Sequence, residues 1–147
     1  MRYFAAIPLA LLVTSTALAS EAAFDRVLLV RQDIQAHNSF SDFMTGLDFY
    51  NGWGETPQNY LEAMKFFELA AHGGHNQAQH YLGFMYYKGL GVTKDNIEAY
   101  KWFYLAASNG DKVGIVLKIT LKELLSDQEI IEAESRAQEW LHTADLQ

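Results

Sequence analysis

Apolar residues recur along this chain at the spacing of one helix face. In the segment 78–86 they occupy positions i, i+3, i+4, i+7 and i+8, namely Ala78, Tyr81, Leu82, Met85 and Tyr86. The segments 63–71 and 99–107 have the same spacing. Because 3.6 residues make one helical turn, this spacing gathers the apolar side chains on one side of each helix. No segment alternates apolar and polar residues over the length of a strand, so the pattern predicts an all-α protein.

Helix start and stop signals divide the pattern into separate helices. Thr56-Pro57 fits an N-cap followed by proline in the first turn. Ser126 and Glu129 have the spacing of a capping box, and Asp95 stands in the corresponding place of an earlier segment. Gly73-Gly74 and Asn109-Gly110 are pairs that end helices, because glycine accepts the left-handed backbone found there. The predicted helices cover 22–37, 40–51, 57–72, 76–88, 95–108, 112–124 and 127–143.

One stretch of this chain occurs twice. Three glycines recur 37 residues later, so that Gly46, Gly52 and Gly54 correspond to Gly83, Gly89 and Gly91. After a loop that is one residue shorter in the later copy, the segment 63–74 recurs at 99–110. A repeat of this length marks a stack of helix hairpins, since one hairpin cannot bury its apolar face alone. Such stacks favour binding surfaces over catalytic sites.

The later copy resembles the Sel1-like repeat, a relative of the tetratricopeptide repeat. The matching positions are Ala78, Leu82, Gly83, Tyr86, Gly89, Gly91, Val92, Asp95, Ala99, Trp102, Ala106, Ala107 and Gly110. The earlier copy is degenerate, with Phe66 in place of the tryptophan. The resemblance covers about 41–142. It implies a right-handed α/α superhelix, or solenoid, of helix hairpins that serves as an adaptor for other proteins.

The repeats and their flanks predict five regions. These are a signal peptide (1–19), an N-terminal capping helix (20–40), a degenerate first repeat (41–78), a second repeat (79–114), and a degenerate third unit with a C-terminal capping helix (115–147). In the first repeat, polar residues occupy core positions of the later copy, so we expect its first helix to pack in a shifted register through Phe40, Phe43, Leu47 and Tyr50. We expect the last helix to cover the end of the stack through Ile130, Ala133, Ala137, Trp140 and Leu141.

The first residues have the pattern of an export signal. Arg2 precedes an apolar run over 3–13, and Ala17-Leu18-Ala19 supplies a small-residue cleavage site. We expect cleavage after Ala19 and a periplasmic or secreted protein. An uncleaved membrane anchor is the alternative, but the run is shorter than the ~20 residues that a spanning helix needs. No membrane span is expected in the mature chain.

Composition argues against several kinds of site. The formal net charge is −7, whereas a nucleic-acid binder carries a basic face, so no nucleic-acid partner is predicted. The chain has no cysteine, which excludes disulfides, thiolate metal sites and a cysteine nucleophile. His72, His75 and His80 lie close in sequence but lack the i, i+4 spacing of metal ligands on one helix. We therefore predict no metal, no cofactor and no catalytic residue.

Four aromatic residues of the second repeat lie beside the apolar stripe rather than on it. Phe84 and Tyr87 are three residues apart, and Tyr100 and Tyr104 are four apart, so each pair shares a helix face. An exposed pair would suit a partner, because tyrosine combines a large apolar ring with a polar tip. The alternative is that these rings pack between repeats. The predicted partner contacts are Tyr50, Phe84, Tyr87, Lys88, Tyr100, Lys101 and Tyr104.

The sequence thus predicts an exported, non-enzymatic adaptor of the cell envelope that binds a protein or peptide. Two alternatives remain open. One is a hydrolase or modifier of cell-wall material, and the other is a small periplasmic subunit of a larger assembly. The identity of the partner and the oligomeric state are not determined by the sequence.

Overall fold

The computed structural model describes residues 25–29 and 38–144 of the chain. Residues 25–29 are helical and belong to the first of two compact units, 1–35. Residues 38–144 belong to the second unit, 36–147. The expected signal peptide, 1–19, and most of the expected N-terminal capping helix lie outside the described residues.

Six helices follow one another in the second unit. The described part of helix α1 is 38–51. The others are α2 (Tyr60–His72), α3 (Asn76–Lys88), α4 (Asn96–Ser108), α5 (Lys112–Lys122) and α6 (Asp127–Ala144). Helix α2 packs on α3, and α4 packs on α3, α5 and α6, so each hairpin stacks on the next. No residue in 25–29 or 38–144 is in a strand, which confirms the predicted all-α class.

The predicted start of α2 was wrong. Asn59, not Thr56, is the N-cap, and its side chain accepts hydrogen bonds from the backbone N–H groups of Leu61 (3.1 Å) and Glu62 (3.2 Å). The N–H of Asn59 donates to the carbonyl of Phe49 at 2.8 Å. This bond to the end of α1 holds the chain extended up to residue 59. Asparagine is as good an N-cap as threonine or better, so the tertiary bond decides between them.

Two predicted caps are confirmed. Asp95 accepts hydrogen bonds from the N–H groups of Ile97 (2.9 Å) and Glu98 (3.0 Å) at the start of α4. At the start of α6, the N–H and the hydroxyl of Ser126 both donate to Glu129 at 2.8 Å, which is the return half of a capping box. The carboxylates of Asp95 and Glu129 are therefore already occupied by backbone and hydroxyl donors.

A glycine of the first helix receives a phenylalanine of the second helix in both repeats. A Cβ atom on Gly46 would lie 2.6 Å from the Phe67 ring, and one on Gly83 would lie 2.5 Å from the Phe103 ring. Both rings are at most 1% exposed. Neither site has room for a methyl group, so the ring of one helix lies directly on the backbone of the other.

The turn at Gly91 joins the two repeats. Gly91 has φ of +72°, and a Cβ atom there would lie 2.8 Å from the carbonyl carbon of Tyr60, at the start of α2. Gly54 occupies the same place in the first repeat with φ of +62°, but a Cβ atom there would meet no atom of the described residues within 4 Å. The two glycines thus share a backbone conformation, but only Gly91 lies against the backbone of another helix.

The shifted register predicted for α1 is confirmed for three of its four residues. Phe43 is 5% exposed, and Leu47 and Tyr50 pack against the same apolar cluster. Phe40 is 57% exposed, so its predicted core position was wrong. The described residues place its ring only against His75, with 6.1 Å between ring centroids.

Helix α6 covers α4, as expected of a closing helix. Ala133 and Ala137 are fully buried. Trp140 meets Trp102 of α4 edge to face, with 5.4 Å between ring centroids. Leu141 is partly buried against the apolar cluster that contains Trp102, and Ile130 against the cluster that contains Phe103. The small alanines let α6 approach α4 closely, and the larger residues fill the flanks.

We expect Gly91→Ala to lower the free energy of unfolding by ~1–3 kcal/mol more than Gly54→Ala does. Both substitutions place alanine at a positive φ and carry a similar backbone penalty. Only alanine at position 91 also overlaps the backbone of α2. Urea unfolding of both variants, followed by circular dichroism, measures the difference. Equal losses would show that the Gly91 contact does not hold the two repeats together.

Candidate functional site

Two of the seven predicted contact residues are buried, so their expected exposure was wrong. Tyr100 is 2% exposed, and its hydroxyl lies 3.4 Å from a carboxylate oxygen of Glu134 on α6. Lys101 is 8% exposed, pairs with Glu98, and has its ammonium 4.3 Å from the Trp102 ring centroid. The physical reason is that α6 packs on this side of α4. Tyr100 packs against α6 instead of facing solvent.

The buried side of α4 carries a small network of charges. Glu98 pairs with Lys101 and also with Arg136 of α6 at 3.2 Å. Burial raises the pKa of Tyr86 to about 12, and the nearby carboxylates of Glu98, Glu68 and Asp95 raise it further. Burial also raises the pKa of Tyr100 to about 12, with a smaller contribution from Glu134. The Glu98–Arg136 ion pair and the contact of Tyr100 with Glu134 join α4 to α6.

The opposite side of the stack has an open groove of about 360 Å³. Its walls come from α1, α3 and α5, and the lining residues are Tyr50, His80, Tyr81, Phe84, Val113 and Leu117. Two of the predicted contacts, Tyr50 and Phe84, are among them. Tyr50 meets Tyr81 and Tyr60 edge to face, each at 5.4 Å between ring centroids. Burial raises the pKa of Tyr50, as do Tyr60 and Tyr81.

A smaller cavity of about 40 Å³ continues this groove along α3 and α5. Its lining includes Tyr87, a third predicted contact, together with Leu121 and the 62%-exposed Leu124. Leu117 lines both spaces. Because Phe84 and Tyr87 are three residues apart on α3, the two spaces form one apolar strip. We name this strip, the lining of both spaces, the α3–α5 groove.

A histidine–aspartate pair lies at one part of the α3–α5 groove. The Nδ1 atom of His80 is 2.9 Å from a carboxylate oxygen of Asp111, and that oxygen also accepts the N–H of Gly114 at 2.6 Å. The two side chains are 13% and 12% exposed. Asp111 is the N-cap of α5, so this bond ties the start of α5 to α3 beside the groove.

The three histidines that lie close in sequence separate in the structure. His72 contacts Trp140, with 5.1 Å between ring centroids, and His75 stacks on Phe43 at 4.2 Å. Burial lowers the pKa of His75, and His80 lowers it further. Among residues 25–29 and 38–144, no three or more histidine and carboxylate side chains are grouped so as to hold a metal ion.

Three lysines lie over aromatic rings, and two of these rings, Phe84 and Tyr87, line the groove. The Lys88 ammonium is 5.1 Å from the Tyr87 ring centroid and 5.7 Å from that of Phe84, and the Lys94 ammonium is 5.4 Å from Tyr87. The partly buried Tyr104 is covered by a lysine of α5, with Lys118 at 5.4 Å. Two of the predicted contacts take part in these interactions, Lys88 as a cation and Tyr104 as a ring.

Sequence reasoning missed part of the groove. The sequence pattern places Tyr81 on the core stripe, offers His80 as a metal ligand, and does not single out Val113 or Leu117. One signal was present in the sequence of α5, KVGIVLKITLK, which is apolar on more than one face. A helix of that kind has more apolar surface than one hairpin partner can cover.

We expect the free energy of unfolding to fall as the pH rises from 10 to about 12. An unfolded tyrosine ionises near pH 10, whereas Tyr86 and Tyr100 keep their protons to about 12 in the folded chain. The unfolded state then binds fewer protons, so stability decreases with pH in this window. Tyr100→Phe should reduce the decrease, measured by urea unfolding at about pH 9 and about pH 11. An unchanged pH dependence in that variant would contradict the burial of Tyr100.

The model of the Sel1 repeat family matches residues 41–75 and 76–111. Protein sel-1 homolog 2 of Homo sapiens is 49% identical in an alignment of 96 residues that covers 61% of this chain and 14% of that protein. The chain thus spans about one seventh of that relative's length.

A solved structure has the same fold over most of the chain. The crystal structure of c5321, a protective antigen present in uropathogenic Escherichia coli strains and displaying an SLR fold, superposes with a TM-score of 0.67 and 28% sequence identity. The match covers 71% of this chain and 22% of that chain. The helical solenoid expected from the sequence is thereby confirmed.

Proposed function

We propose that this chain, which carries two Sel1 repeats in a helical solenoid, is a non-enzymatic adaptor that binds a protein or peptide along the α3–α5 groove. Sel1 repeats generally act in protein–protein interaction. The observation that carries the proposal is the open, mainly apolar groove walled by three helices. The groove supplies what a bound segment needs, which is apolar area with polar groups beside it.

The composition of the groove suits a protein partner. Tyr50, Tyr81 and Tyr87 offer large rings with a hydroxyl each, and residues of this kind concentrate binding energy at interfaces. Val113 is 49% exposed although it lies on a helix that packs against the stack. A partner that covers this surface would remove apolar area from water at about 25 cal/mol per Å² before the costs of association.

We also propose that the protein is exported and acts in the cell envelope. The proposal rests on the charged start, apolar run and Ala-Leu-Ala site of residues 2–19. Among the described residues, no helix has the length and apolar character that crossing a bilayer requires.

The binding site can be tested with a photoreactive benzoylphenylalanine placed at position 113 and, as the matched control, at position 131. Val113 and Ile131 are both exposed aliphatic residues, and only Val113 lines the groove. We expect a discrete protein adduct from position 113 in native extract and little from position 131. We also expect Val113→Gln to weaken capture of the same protein several-fold, since it removes apolar contact area.

Ile131→Gln is the control for that substitution and should leave capture unchanged. Circular dichroism should report the wild-type helix content for both variants. Equal crosslinking from positions 113 and 131, or capture that is indifferent to Val113→Gln, would contradict binding at the groove.

Export can be tested by expressing the full chain in a bacterial host and measuring the mass of the product in each compartment. We expect a product that begins at Ser20 and is absent from the cytoplasm. Ala19→Glu should block processing, because the residue before the cleavage site must be small. A full-length product that stays in the cytoplasm would contradict export.

A further inference from the structure

The cations of the second unit are divided between two surroundings. Lys65, Lys101 and Arg136 each pair with a carboxylate. Five other cations have no ion pair within the described part of the chain. These are Lys88, Lys94, Lys112, Lys118 and Lys122. All five lie between residues 88 and 122, in a protein whose formal net charge is −7. The positive charge available to a partner is therefore concentrated in the segment that builds the α3–α5 groove.

The aromatic rings hold three of these lysines in place. Lys88, Lys94 and Lys118 each have the ammonium 5.1 to 5.7 Å from a ring centroid, within the range of a cation–π interaction. A ring orients the ammonium without neutralising it as a carboxylate would. The charge thus stays available to an incoming anion.

Two carboxylates lie near Lys94 without forming an ion pair with it. Asp95 and Glu129 line a polar cleft together with Lys94. Asp95 accepts the two N–H groups at the start of α4, and Glu129 accepts the donors of Ser126. Neither carboxylate lies within ion-pair distance of Lys94.

We propose that the partner segment is an acidic peptide with an apolar anchor. The anchor, an aliphatic or aromatic side chain, contacts Phe84 and Leu117, and carboxylates of flanking Asp or Glu residues meet Lys88 and Lys94. Unpaired lysines border an apolar groove in a chain that is otherwise acidic, so carboxylates of a partner would complement the charge of this surface. This inference deepens the proposed function and rests on it.

The full mature chain can be tested with two pools of fluorescent peptides of about twelve residues. Both pools carry leucine and phenylalanine at the same fixed positions, with Asp and Glu elsewhere in one pool and Asn and Gln elsewhere in the other. By fluorescence anisotropy we expect the acidic pool to bind about tenfold more tightly at about 50 mM salt. That advantage should shrink at about 300 mM salt, because mobile ions screen exposed charges.

Two variants with the same net charge test whether Lys88 is the lysine that binds the acidic pool. We expect Lys88→Gln to weaken the acidic pool about fivefold and leave the neutral pool unchanged, since exposed charge pairs contribute up to about that factor. Lys65→Gln makes the same change of net charge at a lysine already paired on α2 and should leave both pools unchanged. Lys88→Arg should restore binding of the acidic pool.

The outcomes separate this inference from the proposed function. Equal binding of both pools, weakened in both by Val113→Gln, would overturn the acidic partner and keep the groove as the site. If Val113→Gln weakens the binding of neither pool, both the acidic partner and the groove as the binding site are overturned. Two further results would overturn the peptide as the occupant of the groove. One is an oligonucleotide of matched length that binds as tightly as the acidic pool. The other is self-association of the protein that Lys88→Gln abolishes.

Discussion

The structure depends on the packing of a phenylalanine ring against the backbone of a glycine in each repeat. Gly46 receives Phe67 and Gly83 receives Phe103, and neither glycine has room for a Cβ atom. The contact sets the distance between the two helices of a hairpin. The turn at Gly91, pressed against the start of α2, then sets one repeat on the next. Identical close contacts in successive hairpins bring α1, α3 and α5 to one side, where their side chains line a common groove.

The same stacking explains why the predicted contact residues separate into two groups. Tyr100 and Lys101 lie on α4, and α6 packs on that side of α4, so both are buried. Phe84 and Tyr87 lie on α3, where α5 leaves them partly exposed beside Leu117. Residues with the same relation to the apolar stripe therefore have different surroundings. The order in which hairpins stack, rather than the chemistry of the side chain, decides which aromatic rings remain available.

Charge follows the same division. On the covered side, Glu98 pairs with Lys101 and Arg136 and fixes α6 to α4. On the groove side, lysines lie over aromatic rings without a carboxylate partner in the described residues. The pairing of His80 with Asp111 joins α3 to the start of α5 on this side. A preformed groove costs less to occupy than one that must be ordered on binding.

The sequence by itself determined the helices of residues 38–144, the repeat and most of the caps, because periodicity and capping depend on residues three or four positions apart. Tertiary structure decided the rest. Asn59 is the N-cap of α2, and its N–H donates a hydrogen bond to the carbonyl of Phe49 in α1. His80 pairs with Asp111, which lies 31 positions later in the sequence. Tyr100 was buried by a helix that begins at residue 127. Exposure and partnership depend on which surfaces meet when hairpins stack, and no local pattern contains that information.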